Sequence, residues 1–208
     1  MKLIFATNNQ HKVDEIKSIL PSSIDVITLK EAGIDIDIPE PHETLEANAE
    51  EKGRTIYKLT NTNCFSEDTG LEVDALNGEP GVQSARYAGD VKSSEKNIEK
   101  LLTKLKQQTN RGAQFRTIIF LIVDGKEYLF EGVCRGSITQ EPMGEGGFGY
   151  DSVFIPEGAD RTFAQMSLEE KNGYSHRRKA TDKLVAFLQS IAENQYHLES
   201  SKQPNKRL

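Results

Sequence analysis

FRTIIFLIVDGKEYLFEGVCRGSI, residues 115–138, reads as a β-hairpin. Phe115 to Val123 is the first strand, Glu127 to Ile138 the second, and Asp124-Gly125 is the dipeptide that favours a tight turn between them. Working back from it, Ser94 to Gln107 carries Ile98, Leu101, Leu102 and Leu105 at the spacing of an amphipathic helix. Asn77 to Gly89 is a loop punctuated by Gly and Pro. Leu71 to Ala75 is a short strand, and Cys64-Phe65-Ser66 leads into an acidic turn, Glu67-Asp68-Thr69-Gly70. Thr44 to about Lys58 reads as a helix, and Lys30 to Glu43 as a loop holding Pro39 and Pro41. The chain opens with a buried strand, Lys2 to Ala6. A helix marked by Val13, Ile16, Ile19 and Leu20 follows and ends at Pro21, and Ile24 to Leu29 is a second strand. Beyond the hairpin come a Gly-rich loop, Gly144 to Asp151, and a long final helix, Ser175 to about Ala192, with Leu184, Val185, Leu188 and Ile191 facing inward. From Glu193 the chain is polar, and 193–208 is expected to be a disordered tail. The expected architecture is α/β: a mixed central β-sheet flanked by helices, with an active-site cleft between two lobes of a single domain, 1–192.

Composition narrows what such a domain does. The 208 residues are 36% hydrophobic and 28% charged, the profile of a globular chain. No apolar run approaches the roughly 20 residues that cross a bilayer, and the apolar start is too short for a signal peptide, so a cytoplasmic location is expected. Cys64 and Cys134 each sit in an apolar strand-like stretch and are expected to be buried free thiols; no Cys/His cluster has zinc spacing. A formal net charge of −6 argues against a general nucleic-acid binder. It leaves room for a polyanionic small molecule, held by a few local Lys or Arg groups, backbone amides and a divalent cation.

Five groups of residues are suited to that task. A strand running into Thr7-Asn8-Asn9-Gln10-His11-Lys12 at a helix start presents free N–H groups and the positive end of the helix dipole, with Lys12 one turn in. An ordinary helix cap has the same look. Thr44, Asn48 and Lys52 lie on one helical stripe, which is either a solvated face or a cleft lining that meets phosphate oxygens. Glu40 in its loop and the Glu67-Asp68-Thr69-Gly70 turn supply carboxylates. Carboxylates at strand ends lie at the mouth of an α/β cleft, and Mg²⁺ takes one or two of them together with phosphate oxygens and water; a plain hydrogen-bonding turn is the alternative. The glycines of 144–151 let backbone approach a flat ligand, with Phe148 or Tyr150 to stack and Asp151 to accept hydrogen bonds, unless the aromatics simply pack. Ser175-His176-Arg177-Arg178 puts basic residues in a first helical turn, against the dipole, so they need another partner.

Taken in order, these segments resemble the motifs of the inosine triphosphate pyrophosphatase family, over approximately Lys2 to Leu188. Thr7-Asn8-Asn9-x-x-Lys12 is similar to its Thr-Gly-Asn-x-x-Lys phosphate loop, with Asn8, which tolerates positive φ, where the family usually has Gly. Glu40 and Thr44-x-x-x-Asn48-Ala49 resemble its metal glutamate and adjoining helix, Glu67-Asp68-Thr69-Gly70 its acidic motif, Gly146-Gly147-Phe148-Gly149-Tyr150-Asp151 its base-recognition loop, and Ser175-His176-Arg177 its Ser-His-Arg segment. Pro80-Gly81 and Ser84-Ala85-Arg86-Tyr87 match a further loop. The resemblance implies hydrolysis of inosine, deoxyinosine and xanthosine triphosphates to the monophosphate and pyrophosphate. Asp68 would be general base and, with Glu40, ligand of a Mg²⁺ ion; Glu67 would assist the metal. Thr7, Asn8, Asn9, Gln10, His11, Lys12, Lys52 and Thr69 would bind substrate, with Arg86 a further phosphate candidate. Phe148 and Asp151 would contact the base, Gly149 and Tyr150 would bind substrate beside them, and Lys171, His176 and Arg177 would bind the nucleotide. A homodimer is implied as well. The alternatives are a Maf-type nucleotide pyrophosphatase and a non-catalytic nucleotide-binding module.

Overall fold

The computed structural model describes residues 1–201, with side chains as far as Glu193. One seven-stranded sheet runs through it. β1 (Lys2–Phe5) lies between β2 (Asp25–Thr28) and β3 (Cys64–Val73), parallel to both. β3 then pairs antiparallel with β5 (Gly112–Val123), β5 with β6 (Lys126–Ile138), and β6 with β7 (Phe154–Pro156), while the two-residue β4 (Pro80–Gly81) adds to β3 off the main path. The sheet is therefore mixed, as expected. Its hairpin turns where the sequence places it: Asp124 and Gly125 both have positive φ, 51° and 73°, the pair of left-handed residues a type I′ connection requires.

The uninterrupted apolar runs are explained by burial on both faces of the central strands. Leu3 and Phe5 of β1 and Ile119, Leu121 and Val123 of β5 face α1 (Gln10–Ile19) and α5 (His176–Ser201), against Val13, Ile16, Ala180, Leu184 and Leu188. Ile4, Ile118, Phe120 and Ile122 face the opposite way, onto Leu45, Ala49 and Ile56 of α2 (Leu45–Thr60). A third cluster gathers Leu71, Val73, Phe115, Phe154 and Phe163 around Ile98 and Leu101 of α3 (Ser94–Lys104). Cys64 and Cys134 are buried and free. Burial pushes their thiols up to about 12 and about 11, so both stay protonated and inert. No helix among the described residues is long and apolar enough to cross a membrane.

Three expectations change. The acidic turn at 67–70 does not exist: β3 is one ten-residue strand, and Glu67 and Asp68 sit in its middle, opposite Ile119 and Ile118 of β5. Charged side chains break a strand pattern only when nothing pairs them, and here cations do. A short helix, α4 (Leu168–Asn172), was not expected; it is held by a capping box in which Ser167 and Glu170 exchange hydrogen bonds. The last helix runs past Ala192 to Ser201, so the expected tail is helical that far; residues 202–208, on which the same expectation falls, lie outside the described residues.

α5 rests on β6 at Gly132, where an added Cβ would stand 2.0 Å from the His176 carbonyl oxygen and 2.5 Å from the Ala180 nitrogen. Both are backbone atoms that cannot turn aside. Gly132→Ala should therefore cost about 1–3 kcal/mol and lower the melting temperature by several degrees. An unchanged thermal melt would show that α5 is free to shift.

Candidate active site

The cleft is assembled from the start of α1, Lys52 in the middle of α2, the middle of β3, the starts of α3 and α5 and the loops around Glu40, Ser84 and Phe148, and encloses about 520 Å³, within the range of small-molecule sites. At its first wall, Asn9 caps α1, its side-chain oxygen accepting from the Lys12 N–H at 3.3 Å while its own N–H donates to the Thr7 hydroxyl. The Asn8 side-chain amide donates to the Ile36 carbonyl, tying this loop to the segment that carries Glu40. Asn8 is not among the residues with positive φ, so its place in the turn needs no left-handed backbone. Thr7, Asn8, Asn9, His11 and Lys12 line the cleft; Gln10 does not. Its side-chain amide turns outward along the helix to Asp14, which leaves Gln10 only its backbone N–H to offer a ligand.

α2 is pinned against β3, with the Ser66 hydroxyl donating to the Ala49 carbonyl and the Cys64 thiol to that of Gly53. That seating brings the buried Lys52 ammonium between two carboxylates, 2.6 Å from Glu40 and 3.1 Å from Asp68. The rest of the expected stripe has other work. Thr44 caps α2, and the buried Asn48 amide clamps both the N–H and the carbonyl of His42, two residues beyond Glu40. Asn48 is therefore a scaffold for the Glu40 loop and does not itself face the cleft. Arg86 lies 3.7 Å from Glu40 on the other side.

Environment separates the two acids. Burial opposes charge on Glu40, but Lys52, with smaller help from Lys12 and Lys92, holds its carboxyl below the usual range. Burial dominates at Asp68 and raises its carboxyl; Lys52 and Lys12 offset this in part, and neighbouring Glu40 adds to the rise. Of the pair, Asp68 is thus the better proton acceptor. Lys52 stays charged, since Asp68 and Glu40 overcome the cost of its burial. Two carboxylates converging on one cationic nitrogen at a cleft wall form a donor set that suits a hard divalent ion, which fills its remaining positions with water and phosphate oxygens. Among the described residues no group of three or more His, Cys, Asp and Glu side chains is placed to hold a metal.

Glu67 takes no part in it. Wholly buried, it accepts two hydrogen bonds from the Arg177 guanidinium at 2.7 and 2.8 Å and one from the Thr69 hydroxyl at 2.7 Å, with Lys12 3.2 Å away. Burial alone would raise its carboxyl; Arg177 and Lys12 hold it well below the ordinary value. The expected metal role for Glu67 gives way to a structural one. Thr69 lines the cleft and shares its hydroxyl with Glu67 and, at 2.6 Å, with Thr117.

The far end of the cleft is formed by 148–151, Lys171, His176 and Arg177. Lys171 bridges Glu15 and Asp151, each at 2.6 Å, and Arg177 also pairs with Glu15. These acids are the partners that a basic first turn of α5 requires; Arg178 finds its own in Asp182. Asp151 additionally accepts the Phe148 N–H, and the Tyr150 hydroxyl donates to the Ser84 carbonyl, so both polar groups are committed to shaping the loop. His176 differs. Its ring stacks on Phe115 at 4.6 Å, burial with Arg177 and Lys171 nearby keeps it neutral, and its Nδ1 is buried without a partner. A buried polar atom that lines a cleft unpaired is available to a ligand.

Sequence reasoning missed Glu15, the carboxylate that joins Lys171 to Arg177. The signal was present: an acid in the buried stripe of α1, between Val13 and Ile16. Buried acids are rare unless paired.

Fold and cleft together define a mixed α/β protein in which a capped helix start, a mid-strand aspartate facing a loop glutamate and a glycine-rich loop share one charged crevice. The model of the Ham1 family matches residues 3–187, and the chain belongs to that family, which bears out the resemblance read from its motifs. It is 49% identical over 190 residues to a Flavobacterium psychrophilum protein named dITP/XTP pyrophosphatase, covering 91% of this chain and 100% of that one. A Staphylococcus aureus dITP/XTP pyrophosphatase is 45% identical over 188 residues, 90% of this chain and 96% of its own. Among solved structures, the Staphylococcus aureus Ham1 protein superposes with a TM-score of 0.83 at 44% identity, over 92% of this chain and 100% of that one. A HAM1 protein from Coxiella burnetii gives 0.84 at 34%, over 91% and 99%.

Proposed function

We propose that this chain hydrolyses non-canonical purine nucleoside triphosphates, inosine, deoxyinosine and xanthosine triphosphate, to the monophosphate and pyrophosphate. The observation that carries this reading is the position of Asp68: the more basic of two converging carboxylates, 3.1 Å from Lys52, in the same cleft as the α1 start and Lys12. Kinship with dITP/XTP pyrophosphatases supplies the substrate class.

In this reading the phosphates lie along the first turn of α1, where free N–H groups and the Lys12 and Lys52 ammonium groups face them. Asp68 accepts a proton from a water whose oxygen forms a bond to the α phosphorus. The bond from that phosphorus to the bridging oxygen breaks, and pyrophosphate leaves with the electron pair. Glu40 and Asp68 would hold a Mg²⁺ ion, whose chemistry is charge neutralisation on the phosphate oxygens. Lys52, held between Glu40 and Asp68, would present its ammonium to the phosphates from the same wall. At the other end, the unpartnered Nδ1 of neutral His176 and the Lys171–Arg177 pair read the base. A proton on that nitrogen would donate to a 6-keto oxygen but meet the 6-amino group of adenine donor to donor. Residues 1–192 act as one two-lobed unit, a homodimer in the cytoplasm.

A panel of triphosphates with pyrophosphate detection tests this. Release from inosine and xanthosine triphosphates should exceed that from ATP by at least about a hundredfold and vanish with a chelator. Preference for pyrimidine triphosphates would favour the Maf-type alternative, and no release from any substrate the binding-only one. Sedimentation of the purified protein tests the dimer.

A further inference from the structure

The reading above places His11 on the phosphate loop, but its ring does not face that way. It lies parallel to Phe148, with ring centroids 5.0 Å apart and planes 10° from parallel, and both rings line the cleft. On Phe148 converge the cations of the other end, Lys171 Nζ at 5.0 Å and Arg177 Cζ at 5.7 Å from the ring centroid. A side chain from the first turn of α1 thus reaches across the cleft to the end that holds the unpartnered His176. We propose that the His11–Phe148 stack is the closed form of the base slot, and that His11 is its second wall: the purine inserts between the two rings. This rests on the function proposed above, and it assigns His11 to the base instead of the phosphates.

Three features support the assignment. Two flat rings meeting across a cleft shield each other's faces from water when the slot is empty, and a purine offers the same flat π surface to both at once. The two walls differ in mobility. His11 stands on a helix anchored by buried Val13 and Ile16 and by the Lys12–Glu67 pair. Phe148 stands between Gly147 and Gly149, at φ 71° and 62°; its N–H is tied to Asp151, so opening the slot falls to its side chain and these flanking glycines. Stacking is also indifferent to the 6-substituent, whereas the polar groups beyond it are not. His11 therefore governs affinity for any purine, and His176 the choice among purines.

The experiment compares His11→Ala and His11→Phe with the full wild-type chain, using inosine monophosphate and inorganic pyrophosphate as separate calorimetric probes. His11 is exposed, and unchanged melting curves confirm that both variants are folded. His11→Ala should weaken inosine monophosphate by roughly tenfold or more, leave pyrophosphate binding unchanged and raise KM for inosine triphosphate and ATP in equal proportion with little loss of kcat. His11→Phe should restore binding. Loss of pyrophosphate affinity in His11→Ala, failure of phenylalanine to rescue, or monophosphate binding indifferent to both changes would overturn the assignment. A wild-type chain that binds the monophosphate through His11 yet releases no pyrophosphate would refute the hydrolase reading and leave the slot standing. Hydrolysis unaffected by His11→Ala would do the reverse.

Discussion

Asp68→Asn lowers kcat by about 10²–10⁴-fold, the contribution of a positioned general base, while nucleotide binding and the melting temperature change little. Asparagine keeps the shape and one oxygen that can accept from Lys52, but it cannot take a proton. Lys52 retains Glu40 at 2.6 Å, so no ammonium is orphaned by the change. Burial raises the Asp68 carboxyl in the folded chain, so the charged form is the costly one and a neutral side chain removes no favourable term. Steady-state pyrophosphate release, inosine monophosphate titration and a thermal melt on the same preparation check all three statements. Turnover within tenfold of wild type would reject Asp68 as the base; lost binding at normal stability would recast it as a substrate ligand.

The second large effect is on stability. Arg177→Met leaves the wholly buried Glu67 and the buried Glu15 facing each other without the guanidinium that bridges them. Removing one member of a buried ionic network costs about 3–5 kcal/mol, a fall in melting temperature of roughly 10 °C for a chain of this size. The loss depends on pH. In the wild type, burial works against charge at both glutamates, but Arg177, with Lys12 at Glu67 and Lys171 at Glu15, holds them below the ordinary carboxylate value of 4.5. A depressed folded value gives stability that is present above about pH 4.5 and lost as pH falls through the folded values. Without Arg177 the largest opposing charge at each glutamate is gone and their folded values rise, so acid relieves the variant. The gap between wild type and variant should therefore narrow between pH 7 and pH 4.5. Melting curves at the two values measure it; a constant gap would mean that the glutamates are neutral already.

Much of this arrangement was legible in the chain itself. The hairpin came from two apolar runs and an Asp-Gly pair, and the turn in the structure needs the left-handed backbone those two residues tolerate. Local signals of this kind depend on a few adjacent residues and survive any tertiary context. The order of the site segments was also readable, because each pairs a turn or helix start with a fixed polar set. β3 was not. Periodicity treats Glu67-Asp68 as solvent-seeking, hence a turn, since nothing near them in sequence can neutralise two buried acids.

The cations that do so arrive from Lys12 and Lys52 in the first two helices and from Arg177, whose position is 110 residues away from Glu67 along the chain. By itself, then, the sequence determined the class of fold, the hairpin, the strand-to-helix start at Thr7–Lys12 and the residue types gathered for phosphate and base. Only the tertiary structure decided which charges meet: that Asp68 shares Lys52 with Glu40, that Glu67 belongs to Arg177, that Gln10 faces outward and that His11 lies against Phe148. The physical reason is that hydrophobic period and turn chemistry are short-range properties, whereas the protonation state and partner of a buried charge are set by whatever the folded sheet brings within a few ångströms.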